Sequence, residues 1–324
     1  MRRRAVIAEW GFLLALFSAQ AGCSWFGLRR ELDHAAPTPE QAARNQQISD
    51  QAQEAIDRGD YEQARLALVQ LVAQTPDSAE MQQRLGTVLQ LEGRLPEAEA
   101  CFHAALKRDP DYAEALIGLG QVEAQQADTA SALKRFETAI EIDPHRPKAH
   151  FSLGCLFEAI GRTDEALAEY FRALEYEPNN AAVSLRIAAI QLARNQPDQA
   201  LSRLDQVVEL AADNAEAHDL RGSAHLKLRH FPQAIEDFRA AAAHLPSRPD
   251  VYYHLALALE ADHKPADAFR AAEQAVRLAP DFADARGLSQ RLALVVAPAG
   301  KTRVRPGPSP GAPPNGEPPA EPAK

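Results

Sequence analysis

Six prolines, Pro76, Pro110, Pro144, Pro178, Pro246 and Pro280, lie on one 34-residue frame, and Ala212 alone interrupts the series. Twelve residues before each frame position stands an alanine in all seven cases: Ala64, Ala98, Ala132, Ala166, Ala200, Ala234 and Ala268. Twelve residues further back the side chain is always small: Ala52, Gly86, Gly120, Gly154, Ala188, Gly222 and Ala256. No residue is inserted or deleted between 45 and 282. Self-similarity at a fixed period of this length is the mark of stacked supersecondary units, so the chain is expected to fold as seven copies of one motif.

The motif is a pair of short helices, neither long enough to be stable alone in water. Charged residues make up 25% of the chain and aromatic residues only 6%. Ala, Leu, Glu, Arg and Gln recur, side chains that lose little freedom on a helical backbone, and β-branched alternation is missing. The fold class is therefore all-α. The two small columns let the paired helices approach closely. Leu85, Leu119, Leu153, Ile187 and Leu255 fill the adjoining space from the first helix, and Phe102, Phe136, Tyr170, Leu204 and Phe238 from the second. The frame proline stops the second helix because it lacks a donor and clashes with the preceding turn. Pro96, Pro197, Pro232 and Pro265 stand near the starts of second helices, where a missing donor costs nothing. Gly59, Gly93 and Gly161 mark the bend between helices, where a positive φ is often needed.

Leu-Gly at 85–86, 119–120 and 153–154, followed by alanine, Phe or Tyr, and a closing proline, resembles the tetratricopeptide repeat. The resemblance spans 45–282 and implies a right-handed α-solenoid of seven 34-residue helix-turn-helix repeats. The chain departs from the pattern where Gln82, His150, Ser184 and His218 stand at a position usually bulky, and the repeat 181–214 lacks both glycine and proline. Residues 283–296 read as one further helix, whose Arg286, Ser289, Gln290 and Arg291 give the stack a polar, soluble end. From 297 to 324 nine residues are proline and no apolar periodicity survives, which predicts a disordered tail.

The amino terminus reads as an address. Arg2, Arg3 and Arg4 precede the apolar run 10–19, and Ala21-Gly22-Cys23 follows. The run fits the core of an export signal and is too short to span a bilayer, which needs ~20 residues. Residues 1–22 are thus expected to be a signal peptide and 23–44 a tether. The ending resembles a bacterial lipobox, which implies lipidation of Cys23 and attachment to the periplasmic face of an envelope membrane. Gln20 replaces the leucine usual in that motif, and Ala19-Gln20-Ala21 also satisfies ordinary signal peptidase, so secretion of a soluble periplasmic protein and an uncleaved anchor stay open.

The chain carries a formal net charge of −10, and because 1–22 and 297–324 are each +2, the body between them carries −14. Such a body repels phosphate backbones, so a nucleic-acid partner is not expected. Cys23, Cys101 and Cys155 supply no disulfide framework and no zinc spacing. The ten histidines are scattered, His218 and His225 lie two helical turns apart, and no phosphate-binding glycine loop occurs. No catalytic constellation is recognisable, so no enzyme activity, cofactor or metal is expected.

What the family resemblance implies is binding of a protein or peptide in a groove lined by the first helices, with positions 2, 5, 9 and 12 of each repeat facing inward. Ile117, Phe151 and Leu185 at position 5 would form an apolar stripe, extended by Tyr253. Arg84 and Arg186 at position 6 and Lys148 at position 2 would add positive charge, suiting a peptide with an acidic group. The alternative is that the apolar residues of the stripe pack between neighbouring repeats. The function expected is a membrane-tethered scaffold of an envelope assembly, similar to the lipid-anchored repeat proteins that assist pilus secretins. A soluble cytoplasmic or secreted adaptor is the other reading.

Overall fold

Helix boundaries follow the 34-residue period of the sequence. A computed structural model describes residues 38–296; residues 1–22, read from the sequence as a signal peptide, Cys23 and the proline-rich segment 297–324 lie outside the described residues. Fifteen helices account for this range. The first helices of the seven repeats are α1 (Pro39–Asp57), α3 (Ala79–Leu91), α5 (Ala113–Gln125), α7 (Pro147–Ala159), α9 (Ala181–Ala193), α11 (Ala215–Lys227) and α13 (Pro249–Ala261). The second helices are α2 (Tyr61–Gln74), α4 (Leu95–Arg108), α6 (Thr129–Ile142), α8 (Thr163–Tyr176), α10 (Pro197–Leu210), α12 (Phe231–His244) and α14 (Pro265–Leu278). α15 (Ala283–Val296) is the additional helix expected after the last repeat. The fold is an all-α repeat solenoid. Two compact units divide it, one ending at Leu156 and the other beginning at Phe157.

One boundary moves. Residues 39–44, read from the sequence as tether, belong to α1. Thr38 is its N-cap: the hydroxyl accepts from Gln41 N at 3.3 Å, and Thr38 N donates to Gln41 Oε1 at 2.9 Å. Such a capping box satisfies two otherwise orphaned donors, and Pro39 in the first turn is preorganised for the helix.

The small columns are closed contacts. All seven alanines of the second-helix column are inaccessible to solvent. In the first unit a methyl group at Gly86 would lie 2.8 Å from Phe102 Cε1, and one at Gly120 would lie 2.7 Å from Phe136 Cε1. The Phe102 ring also presses on Gly118 of the next repeat, so one ring ties α4 to both α3 and α5. In the second unit Phe238 covers Gly222 at 2.8 Å in the same manner.

Every first helix ends the same way. The residue at the bend has positive φ in all seven repeats, and the following N–H returns to the carbonyl five residues earlier, as Asp60 N does to Ala55 O at 2.8 Å and His230 N to His225 O at 2.8 Å. This is the Schellman closure. Glycine supplies the conformation at Gly59, Gly93 and Gly161, while Ala127, Asn195, Arg229 and His263 are held in it by their surroundings. Asparagine tolerates the left-handed region at Asn195, but it costs other L-residues roughly 1–2 kcal/mol, so the bends at Ala127, Arg229 and His263 are set by stacking rather than by local preference.

The two histidines at the usually bulky position also find partners. His150 Nε2 lies 2.9 Å from Pro144 O, and His218 Nε2 lies 3.1 Å from Ala212 O. Each buried imidazole thus meets the carbonyl at the frame position six residues before it, satisfying a backbone group that a hydrophobic side chain would leave to water.

Candidate functional site

The first-helix faces hold the residues singled out from the sequence, and the two units treat them differently. In the first unit, position 5 lies where successive first helices touch, as α3 touches α5. Ile117 is consequently inaccessible and Gln83 is buried, whereas the longer ring of Phe151 remains half-exposed. The expected contact role of Ile117 is therefore replaced by packing, because no atom of it reaches the surface. Arg84 is also committed: Nη1 donates to Ser49 Oγ at 2.6 Å and Nη2 to Ser49 O at 3.4 Å, so its charge braces α3 against α1. Lys148 is exposed in the first turn of α7. Cys155 is half-buried on the same helix, and no disulfide joins it to Cys101.

In the second unit Leu185 is buried where α9 meets α11, again a packing position. Arg186 is exposed, 3.8 Å from Glu158. Tyr253 stays half-exposed, its ring 5.1 Å from Phe282 and 6.0 Å from His254. The structure thus separates the predicted set: Phe151, Lys148, Arg186 and Tyr253 reach solvent, while Ile117 and Leu185 do not.

What sequence reasoning missed on this face is its sign in the second unit. Glu216, Asp250 and Asp284 occupy position 2 of three successive first helices, and Asp219 and Glu260 join them on the same side. Ties between helices set this arrangement: His254 Nδ1 to Asp219 Oδ1 at 2.9 Å, and Arg291 Nη2 to Glu260 Oε2 at 2.8 Å. Arg248 pairs with Asp250, and that hydrogen bond, aided by the charges of Asp219 and Glu216, raises its pKa. Reading position 2 for charge along the repeats would have found this row.

Also missed was a buried polar cluster between α11 and α12. Asp237 is 3% exposed and accepts from Arg221 Nε at 3.0 Å and Nη2 at 2.7 Å. His218 Nδ1 lies 2.9 Å from the same carboxylate, and His225 Nε2 at 3.8 Å. Burial, as the leading cause, lowers the pKa of His225. His218 and His225, two turns apart along one helix, thus converge on one carboxylate from the next. Among the described residues no group of three or more His, Cys, Asp or Glu side chains is arranged to hold a metal ion.

In the first unit, α2, α3 and α4 enclose an open cavity of about 320 Å³ lined by Leu85, Leu89, Val69 and Cys101 together with Arg65 and Arg94. Burial pushes the Cys101 thiol above its ordinary pKa, keeping it protonated and a weak nucleophile.

Three tetratricopeptide repeat models match the chain: one over residues 77–145, one over 159–224, and one over 49–100, 123–183 and 220–283. The chain belongs to the tetratricopeptide repeat family. TPR arrays bind protein or peptide partners, so the coarse function is that of a protein-interaction scaffold. No enzyme family is among the matches, and no curated protein matches the sequence. Among solved structures, this TPR chain is similar to Cut9 in the APC/C hetero-tetramer Cut9-Hcn1, with TM-score 0.64, 16% identity and 74% of this chain covered. The match spans about half, 48%, of that chain. YrrB, a TPR protein with an unusual peptide-binding site, superposes with TM-score 0.51 at 20% identity over 58% of this chain and 97% of its own. PilW, a type IV pilus biogenesis factor, gives 0.51 at 18% identity over 56% and 84%. At these identities the likeness establishes the fold alone.

Proposed function

We propose that this TPR protein is a lipid-anchored scaffold of a bacterial envelope assembly, holding a peptide or protein partner on its first-helix faces. The observation that carries the anchor is Ala21-Gly22-Cys23 after a basic start and a ten-residue apolar run. No helix of the described residues is long and apolar enough to cross a membrane, so an anchor would come from the amino-terminal segment. The binding reading rests on Phe151 in one unit and Tyr253 in the other, large rings left half-exposed on the helices that carry contacts in this family. Aromatic anchors of this kind dominate interface energetics because each covers a large area at little conformational cost.

Labelled fatty acid is expected to enter the wild type and not Cys23→Ser. Equal labelling of both, or of neither, overturns the lipoprotein reading. A second reading, secretion of a soluble protein, is favoured by Gln20 and by the Ala19-Gln20-Ala21 site; a mature chain beginning at Gly22 identifies it.

A further inference from the structure

One place between neighbouring repeats is built differently in the two units. In the first it is the open cavity bounded by α2, α3 and α4, with Val69, Leu89 and Cys101 in its wall. Three 34-residue periods later the same positions hold Phe171, Gln191 and Arg203, on α8, α9 and α10. The ionisable Arg65, Arg94 and Glu97 of the cavity become Leu167, Gln196 and Gln199, so Arg203 brings the one charge to this place. Among the described residues its guanidinium has no carboxylate: Nε is sealed from water without an acceptor, and Gln191 commits its amide to Gln199, Nε2 to Oε1 at 3.3 Å. Arg203 instead stands over the Phe171 ring, with Cζ 5.4 Å from the centroid, a cation–π distance. Burial lowers its pKa, and no neighbouring carboxylate raises it again. The equivalent charges of other repeats are matched, Arg135 by Glu123 and Asp237 by Arg221. The place is also open, since Arg203 as a whole is half-buried and Phe171 is 43% exposed.

We propose that Arg203 and Phe171 form a second partner site, between α8 and α10, which takes one acidic side chain of a protein partner together with an apolar side chain beside it. Because Nε is closed off, the carboxylate meets the two terminal nitrogens of the guanidinium, a paired geometry that a planar fork and a carboxylate share. A partly desolvated guanidinium attracts a carboxylate more strongly than a hydrated one, since less water screens the pair. The body of the chain carries −14, which repels a run of acidic residues. A single carboxylate beside an apolar group therefore fits this place, and an acidic stretch does not. The apolar neighbour covers the open part of the Phe171 ring, as rings at interfaces are covered. The acid comes from a protein because TPR arrays bind protein or peptide partners, and because the ring gives the residue next to the acid a contact of its own. This site is separate from the first-helix faces and does not depend on their role.

The test titrates the full chain with two blocked tripeptides, acetyl-Phe-Glu-Leu-amide and acetyl-Phe-Gln-Leu-amide. Affinities come from the backbone amide NMR shifts of α8 and α10, and contact from the side-chain N–H signal of Arg203, assigned by its loss in Arg203→Lys. The glutamyl peptide is expected to bind about tenfold tighter than the glutaminyl one and to move the Arg203 signal, as a charge-assisted bond requires. That preference should vanish in Arg203→Gln. It should vanish equally in Gln191→Glu, whose carboxylate neutralises the guanidinium from within; this variant decides the matter if melting curves show that Arg203→Gln is unfolded. Phe171→Ala should weaken both peptides about threefold through lost apolar contact and leave the preference in place. Equal affinity for the two peptides, a preference that survives in the folded variants, or no shift in α8 and α10 at about 10 mM peptide overturns the proposal. Unchanged affinities in Phe171→Ala overturn its apolar half. Free glutarate that moves the Arg203 signal with the affinity of the glutamyl peptide makes a small carboxylate the ligand and overturns the protein partner.

Discussion

In the first unit, α4 meets its neighbours through a phenylalanine ring laid on two glycines, Gly86 and Gly118; in the second, α11 and α12 meet around a buried carboxylate. Both satisfy the same requirement of close approach between short helices that cannot stand alone. The glycine contact depends on volume only and is indifferent to pH. The Asp237 contact depends on every donor around it, because a buried charge that loses its partners is costly. The units also differ at equivalent positions. In the first, Glu123 Oε1 accepts from Arg135 Nε at 3.2 Å. In the second, Gln191 and Arg203 hold those places, and Gln191 Oε1 and Arg203 Nε have no partner. One scaffold thus accommodates an apolar contact, a buried polar cluster and an incomplete pair, since each repeat interface is judged mainly by its nearest neighbours.

The largest effect is expected from Asp237→Ala, which leaves His218 and Arg221 facing a void. Denaturant unfolding should show a loss of ~3 kcal/mol, near the lower end for a broken buried pair because Arg221 keeps access to water. A change within 0.5 kcal/mol would mean the cluster contributes nothing net. Next comes the volume contact: Gly120→Leu forces bulk against Phe136 and should cost ~1–3 kcal/mol, equally at pH 5.5 and 7.5. A wild-type melting temperature for this variant would remove the physical basis of the small columns. Gln191→Glu should add ~1 kcal/mol by giving Arg203 the partner that Arg135 has in Glu123. No gain would show that the orphaned pair is satisfied by water. The smallest effect is a pH dependence confined to the second unit. Burial holds the His225 pKa below its unfolded value of 6.5, so the folded state binds fewer protons than the unfolded one in that range. Its contribution is fully present above pH 6.5 and is lost as pH falls toward the folded pKa. Melting curves at pH 7.5 and 5.5 should therefore converge in His225→Leu; an unchanged gap assigns the dependence to other groups.

Much of this could be read before any coordinates. The small columns and the prolines located fourteen of the helices, because volume and donor loss act locally and repeat with the chain. The capping box at Thr38 was equally readable, since Gln41 stands three residues after it. The face residues were legible only by position. Position 5 was expected to face a partner, yet Ile117 and Leu185 are buried there because successive first helices touch at that level, while the long rings of Phe151 and Tyr253 extend past the contact. Arg84 read as a spare charge because Ser49, its partner, stands 35 residues earlier on a helix of another repeat.

By itself the sequence determined the all-α class, the number and period of the repeats and the exit of the chain into a proline-rich segment, since each follows from local volume, helix propensity and the missing proline donor. Only the tertiary structure decided which bends without glycine enter the left-handed region, which carboxylates gather on the face of the second unit, and that two histidines a helix apart from Asp237 converge on it. Those outcomes depend on distances between side chains on different helices, and a 34-residue period specifies which helices become neighbours without specifying which of their atoms meet.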